Sequence, residues 1–278
     1  MALAVIGGSG IYNLDIVKVL EEIEVATPYG KPSGKVIRAS VAGSEFFFLP
    51  RHGVGHVLNP SEINYRANIY ALKKLGVNTI ISISAVGSLK EEITPEDFVI
   101  PDQFIDWTKG LRKRTFFENG VVGHVSAANP VDKELQERLV RACKEAGVKT
   151  HKNGTYVCIE GPQFSSKAES QIYRSLGASV IGMTNVPEAY LAKEAGIAYS
   201  TVAMVTDYDC WRDTACSVEE IMKVLKDNYI SAQKFVAKAI PDLVSDPISF
   251  EAENKYAVIT NKSLIGALHK EALEVLLS

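Results

Sequence analysis

The sequence has no apolar run approaching the ~18 residues that a membrane-spanning helix needs, and its N-terminus, MALAVIGGSG, carries no cationic segment ahead of a short apolar stretch. Its four cysteines, Cys143, Cys158, Cys210 and Cys216, form no CxxC pair and have no histidine at zinc-ligand spacing beside them. Neither a metal site nor a disulfide framework is expected, so the chain reads as cytoplasmic with reduced thiols. An excess of one charge is also lacking. Thirty Lys plus Arg stand against 33 Asp plus Glu, a net charge of -3, which gives a nucleic acid no global field to follow and leaves small anions as partners. No internal repeat or low-complexity tract occurs. What remains, 46% hydrophobic and 23% charged residues in a chain of 278, is the composition of a globular protein large enough to bury an ordinary core.

Short β-rich runs recur at residues 3–6, 46–49, 79–83, 98–100, 156–159, 180–181 and 201–205. They are continuously apolar more than alternating, the pattern of strands covered on both faces. Helical patterns lie between several of them, at 64–74, 132–146, 166–176 and 187–195, the last opening on a proline suited to a first helical turn. Ser217 and Glu220 form a capping box ahead of Ile221, Val224, Leu225, Ala232 and Val236, which share one helical face. This alternation predicts an α/β fold with a largely parallel sheet. After Ile240 the string PDLVSDPIS interrupts the periodicity and predicts a linker, followed by an amphipathic helix through Leu264, Leu268, Ala272 and Leu276.

Polar residues cluster where these strands end. Ser9 follows the first run, Arg51 and His52 the second, Ser84 the third, Glu160 the run at 156–159, Met183 and Thr184 the next, and Asp207 with Asp209 the last. Ligands of open α/β sheets bind outside the carboxyl ends of the strands, so these residues are candidates for one crevice. GGSG at 7–10 lets amides approach an anion but breaks the G-x-G-x-x-G dinucleotide pattern at Asn13, and is equally compatible with a tight turn. Arg51 beside His52 is a pairing suited to phosphate, unless the guanidinium is spent on a structural carboxylate. Ser84 offers a further hydroxyl or merely caps its own turn. Phe164 and Ser165 in EGPQFSS suit a planar ligand, or a core ring with a capping serine. Asp207 and Asp209 lack the third ligand of a metal site; without a metal, carboxyl groups protonate a leaving nitrogen or accept from an amino group, and exposed turn aspartates are the plain alternative.

The strings IGGSGIY, TPYGKPS, LPRHGVGHVLNPSEINYRANIYALKKLG, AVGSL, VIPDQFID, IEGPQFSSKAES, MTNVPEAYLAKEAGI and AMVTDYDCW, in this order from residue 5 to about residue 240, resemble the trimeric purine nucleoside phosphorylase family. The resemblance implies a nucleoside phosphorylase-like single domain over residues 1–240, with a mixed, largely parallel central sheet flanked by helices. Residues 241–278 would be a C-terminal helical extension, packed on the same domain or on a neighbouring subunit. It implies phosphorolysis of 5'-methylthioadenosine to adenine and 5-methylthioribose 1-phosphate, with phosphate as co-substrate and no metal or organic cofactor. By the same resemblance, phosphate ligands fall on Ser9, Arg51, His52, Ser84, Ala85 and Thr184, base contacts on Phe164, Ser165, Asp207 and Asp209, and the ribose contact on Met183. The 5' group maps onto Val218, Ile221 and Met222, with His56 at the rim and His124 donated by a neighbour in a homotrimer or a dimer of trimers. Serine stands at 9 and 84 where the family often has threonine, which keeps the hydroxyl. Gly182 replaces an asparagine, which removes a polar contact, and Asn185 replaces a threonine, which leaves base preference open. A 6-oxopurine phosphorylase, a hydrolytic nucleosidase and a non-catalytic adenosine-binding module are the competing readings.

Overall fold

The computed structural model describes residues 2–8, 16–212, 218–249 and 252–278, so Ser9, Cys216 and Ser217 lie outside the described residues, as does the side chain of Val218. The strands are β1 (Ala2–Gly7), β2 (Lys18–Ile23), β3 (Val36–Val41), β4 (Ser44–Pro50), β5 (Val77–Ser88), β6 (Phe98–Ile100), β7 (Gln103–Trp107), β8 (Thr150–Lys152), β9 (Thr155–Ile159), β10 (Val180–Gly182) and β11 (Ala198–Asp207). The helices are α1 (Tyr65–Lys74), α2 (Lys133–Glu145), α3 (Lys167–Ser175), α4 (Asn185–Glu194), α5 (Val218–Ser245) and α6 (Ala267–Leu276). Side chains cap three of them close to the starts that the sequence patterns give, with Ser166 and not Ser165 as the capping serine of α3. Asn64 accepts from the amide of Ala67, Asp132 from that of Leu135, and Ser166 forms a reciprocal capping box with Glu169.

Among the described residues the sheet runs β2-β3-β4-β1-β5-β10-β9-β7, and β11 joins the other edge of β5 and continues through β6 to β8. β1 pairs in parallel with β4 and β5, and β5 in parallel with β11, whereas β2, β3, β10 and β6 each contribute an antiparallel pairing. The central strands are buried on both faces because their alternate side chains enter two different cores. Ala4 and Ile6 of β1 join Ile69, Leu72, Leu191 and Leu273 from α1, α4 and α6. Leu3 and Val5 join Leu135, Leu139, Phe235 and Val236 from α2 and α5 on the opposite face. The period of two, with apolar residues at both phases, is what makes these runs continuously apolar.

Two expectations need correction. α5 does not break at Ile240: it runs through Pro241 to Ser245, with Ala239, Ile240 and Leu243 all buried in the second core. Tertiary packing holds the turn that the proline would weaken in isolation. The strand bearing Ser84 does not end there, for β5 continues to Ser88. The later amphipathic segment is α6, whose Ala272, Leu273 and Leu276 join the first core of their own chain.

The extension of β5 creates the crevice. One edge of β5 pairs with β1 as far as Ser82 and with antiparallel β10 only from Gly87, so among the described residues no strand lies beside residues 83–86 on that edge. Neighbouring strands that part at this point leave a gap in the sheet at the carboxyl ends of β1 and β11, a topological switch point.

Candidate active site

A cavity of about 610 Å³ occupies this gap and is lined by twelve of the sixteen residues the sequence nominates. At one end lie Arg51, His52 with His56 stacked on it, Ser84, Ala85 and Thr184, at the other Phe164, Ser165, Asp207 and Asp209, and Met183 and Ile221 complete the lining. A groove of about 680 Å³ at the amino end of β11 is larger but is lined by mixed charges such as Asp132, Lys133, Glu137 and Lys152, and by none of the nominated residues. Size alone does not locate the site.

The arginine takes up the structural alternative in large part. Arg51 is 1% exposed, and its Nε and Nη2 clamp the Glu188 carboxylate at 2.7 and 2.9 Å. Nη2 also donates to Ser82 Oγ at 2.6 Å and Nη1 to the Ile83 carbonyl at 2.9 Å. The guanidinium fork is therefore not free for a bidentate grip on phosphate, and one Nη1 hydrogen remains for the cavity. His52 is neutral: burial and the adjacent Arg51 push its imidazole down to about 4. Its Nδ1 lies 2.9 Å from the Leu58 carbonyl and so carries the proton, which leaves Nε2 as an acceptor. Its ring stacks on His56 with centroids 4.1 Å apart.

Donors at this end come from hydroxyls and amides. Ser84 Oγ sits 3.3 Å from Asn185 Oδ1, a long contact that an incoming anion readily replaces. The Thr184 hydroxyl makes no capping bond to the following helix, whose regular turns start at Pro187 because Val186 is extended. Strand alternation turns the Ala85 amide toward the same open edge as the Ile83 carbonyl that Arg51 engages. Asn185 itself is fully buried beneath the cup, donating to Tyr199 Oη at 2.6 Å and Thr201 Oγ1 at 2.5 Å, so its side chain is part of the polar floor.

Two carboxyl groups line the far end. Asp207 closes β11 and accepts from Thr206 Oγ1 at 2.7 Å and from the Asp209 amide at 2.8 Å, while Asp209 lies beyond the strand at φ +50°. The strand geometry that would put them on one side thus stops at Asp207, and the left-handed turn brings Asp209 back to the cavity. Burial raises the affinity of both for a proton, and the neighbouring charge of Asp209 adds to the effect at Asp207. Ser165 Oγ is buried without a partner among the described residues, and Phe164 stands 64% exposed at the rim.

A further wall of the cavity is built from the face of α5 presenting Ile221, Leu225 and Tyr229 at successive turns. Met222 is rotated off that face, 58% exposed and outside the cavity lining. His124 is exposed on a loop bonded to the C-terminal segment through its amide and the Ala257 carbonyl, and it does not reach the cavity of its own chain.

Arg112 was not among the nominated residues, yet it holds the site together. Its Nη1 donates to the carbonyls of Met183 and Val186 at 2.7 and 2.6 Å, its Nε to Glu160 Oε1 at 3.0 Å and its Nη2 to the Glu160 carbonyl at 2.8 Å. Glu160 also receives the Lys109 amide at 2.7 Å and the Ser61 hydroxyl. The loops carrying His56, Phe164 and Met183 therefore converge on one buried ion pair. Gly161 permits this convergence, with φ +67° and Met183 so close that any side chain would strike the thioether. In sequence Arg112 lies in the basic run KGLRKR, which reads as a solvated stretch, and only a carboxylate at a strand end hints at its partner.

The profile of the Phosphorylase superfamily matches residues 2–241. The chain belongs to this superfamily. Among similar members, the S-methyl-5'-thioadenosine phosphorylase of Geobacter sulfurreducens is 48% identical over 278 residues, covering 99% of this chain and 97% of that protein. The enzyme of the same name from Hyperthermus butylicus is 48% identical over 246 residues, covering 88% and 89%. The crystal structure of a methylthioadenosine phosphorylase from an antarctic soil metagenomic library superposes with a TM-score of 0.93 at 46% identity, covering 99% of this chain and 98% of that one. An adenosine/methylthioadenosine phosphorylase mutant from Schistosoma mansoni, in complex with adenine, superposes with a TM-score of 0.83 at 33% identity, covering 88% and 93%. The superfamily fold thus carries a central sheet in which parallel pairings dominate, as the alternation of strands and helices predicts. Among the described residues no helix is long and apolar enough to cross a membrane, and no cluster of three or more His, Cys, Asp or Glu could hold a metal ion.

Proposed function

We propose that this phosphorylase cleaves 5'-methylthioadenosine with inorganic phosphate, giving adenine and 5-methylthioribose 1-phosphate. The observation that carries the reading is one cavity with opposed chemistry at its two ends. Buried carboxyls whose affinity for a proton is raised by burial lie at one end and a cup of hydroxyl and amide donors at the other. The C1'–N9 bond breaks as a phosphate oxygen bonds to C1', so positive charge grows on the ribose ring and negative charge on the purine. Phosphate held by Ser84, Thr184, the Ala85 amide and the last Nη1 hydrogen of Arg51 stabilises the first charge. Asp207 neutralises the second by giving its proton toward N7, and Thr206 fixes that carboxyl in place. Neutral His52, with Nε2 as an acceptor, takes a hydrogen bond from a phosphate hydroxyl or a ribose hydroxyl.

The apolar wall of Ile221 and Leu225 favours a methylthio group over a hydroxyl, which would be buried without a partner. Phosphate is a co-substrate and no cofactor is required. We assign the chain to the cytoplasm, as a homotrimer in which His124 of one subunit reaches the 5' side of the next. Mixed trimers of Asp207→Asn and His124→Ala subunits then regain activity, whereas no recovery in confirmed mixtures would place His124 elsewhere.

The experiment for the reaction itself is chromatography of methylthioadenosine, adenosine, methylthioinosine and inosine after incubation with and without phosphate. Phosphate-dependent release of adenine, fastest from methylthioadenosine, is expected. Equal release without phosphate would make the protein a hydrolytic nucleosidase, release from the inosine pair would make it a 6-oxopurine enzyme, and no release would leave a binding module.

A further inference from the structure

Tyr156 lies on β9 two strands from the phosphate cup, fully buried, with its ring edge-on to Phe104 at 5.8 Å. Its side chain does not stay under its own strand. It crosses beneath β10 into the space that Gly182 leaves open. A Cβ at Gly182 would stand 2.6 Å from the Tyr156 Cζ and closer still to its hydroxyl. Any other residue at 182 would evict the phenol, so tyrosine and glycine form one device: the polar group that the main chain lacks at 182 is supplied from the next strand.

The delivered hydroxyl stands against the Ser84 side chain and the Thr184 backbone, both part of the cup. It is nevertheless shielded from solvent and completes no well-aligned hydrogen bond among the described residues. A native fold leaves few buried hydroxyls in that condition, and such groups call for an explanation. Ser84 is likewise underused, its proton resting on the long 3.3 Å contact to Asn185.

We propose that Tyr156 is a positioning residue of the phosphate site: when the anion enters, its hydroxyl donates to Ser84 Oγ and thereby commits the Ser84 proton to a phosphate oxygen. Each hydroxyl gives one proton in one direction, from Tyr156 to Ser84 and from Ser84 to the anion, and no proton changes owner. Burial holds the phenol well above its ordinary titration range, so it remains a donor throughout the working pH. The Thr184 amide is the natural donor to the phenol oxygen, and Arg112 polarises that same peptide group from its Met183 carbonyl end. The proposal rests on the phosphate reading above.

Tyr156→Phe tests it. The melting temperature without phosphate should stay the same or rise, because the deleted hydroxyl makes no well-aligned hydrogen bond among the described residues. The dissociation constant for inorganic phosphate, read by calorimetry and by the phosphate-induced rise in melting temperature, should increase about tenfold, as for a lost contact in a charge-assisted chain. The KM for methylthioadenosine should change little. In a cycle with Ser84→Ala, the tyrosine substitution should add almost nothing once the serine hydroxyl is gone. Unchanged phosphate affinity in Tyr156→Phe would overturn the proposal, as would a drop in melting temperature without phosphate or full additivity with Ser84→Ala. If the unaltered protein binds no phosphate, the functional reading fails instead, and the two failures are distinct.

Discussion

The ion pair between Arg51 and Glu188 makes an unusual demand on any mutational test of the phosphate cup. Replacing Arg51 with alanine removes a guanidinium that is 1% exposed and leaves the Glu188 carboxylate, also 1% exposed, without its cation. Ser82 and Tyr199 still donate to that carboxylate at 2.7 and 2.9 Å, but neither supplies charge. Stranding one member of a buried pair costs ~3–5 kcal/mol. At roughly 2–4 °C for each kcal/mol in a chain of this size, Arg51→Ala should melt about 6–20 °C lower than the unaltered protein. Replacing both members, Arg51→Met with Glu188→Met, removes the orphaned charge and should recover most of that loss. Because the fork serves Glu188, the double variant should still bind phosphate, weakened by about tenfold for the one remaining N–H and its charge. Scanning calorimetry and phosphate titration of the three proteins measure both quantities. An Arg51→Ala variant that melts normally while losing phosphate selectively would show that the guanidinium is spent on the anion, and the reasoning would be wrong.

Asp207→Asn should lower turnover by ~10²–10⁴-fold with phosphate affinity nearly intact, since the amide cannot deliver a proton; near-normal turnover would remove Asp207 as the acid. Glu194, which accepts from Thr115 Oγ1 and the Phe116 amide at 2.7 Å, is raised by burial to about 7. Its unfolded form loses the proton first, so its contribution is complete below about 4.5 and disappears as pH rises to 7. At about 1.4 kcal/mol for each pH unit this is worth about 3 kcal/mol, and Glu194→Gln should flatten that part of the denaturation profile; an unaltered slope would refute it. Leu225→Ser should narrow the preference for methylthioadenosine over adenosine by at least severalfold, and an unchanged ratio of kcat/KM would place the 5' group elsewhere.

The sequence shows most clearly the elements that are buried on both faces. β1, β5 and β11 read as apolar runs because both of their side-chain phases enter a core. β2 does not, since its KVLEEI is exposed along nearly its whole length and only backbone pairing with β3 makes it a strand. Site residues follow the same division. Arg51 and Asp207 are visible because they stand at strand ends and Ser84 because the apolar run of β5 is interrupted there, whereas Glu188 is separated from Arg51 by 137 positions and sits inside a helix. The sequence names Met222 and misses Leu225 and Tyr229, because the entry angle of α5 over the crevice decides which stripe faces inward. The Tyr156 device is hidden for a related reason: nothing in the local string says that a side chain from β9 will occupy the missing side chain of β10.

Phosphorus-31 nuclear magnetic resonance of the protein with methylthioadenosine and inorganic phosphate tests the central claim most directly. The account predicts that the phosphate signal falls as a sugar phosphate ester signal rises, one ester for each adenine released, with no release in phosphate-free buffer. Adenine appearing while the phosphate signal stays constant would mean that water, not phosphate, attacks C1', and the reading of the donor cup would be contradicted.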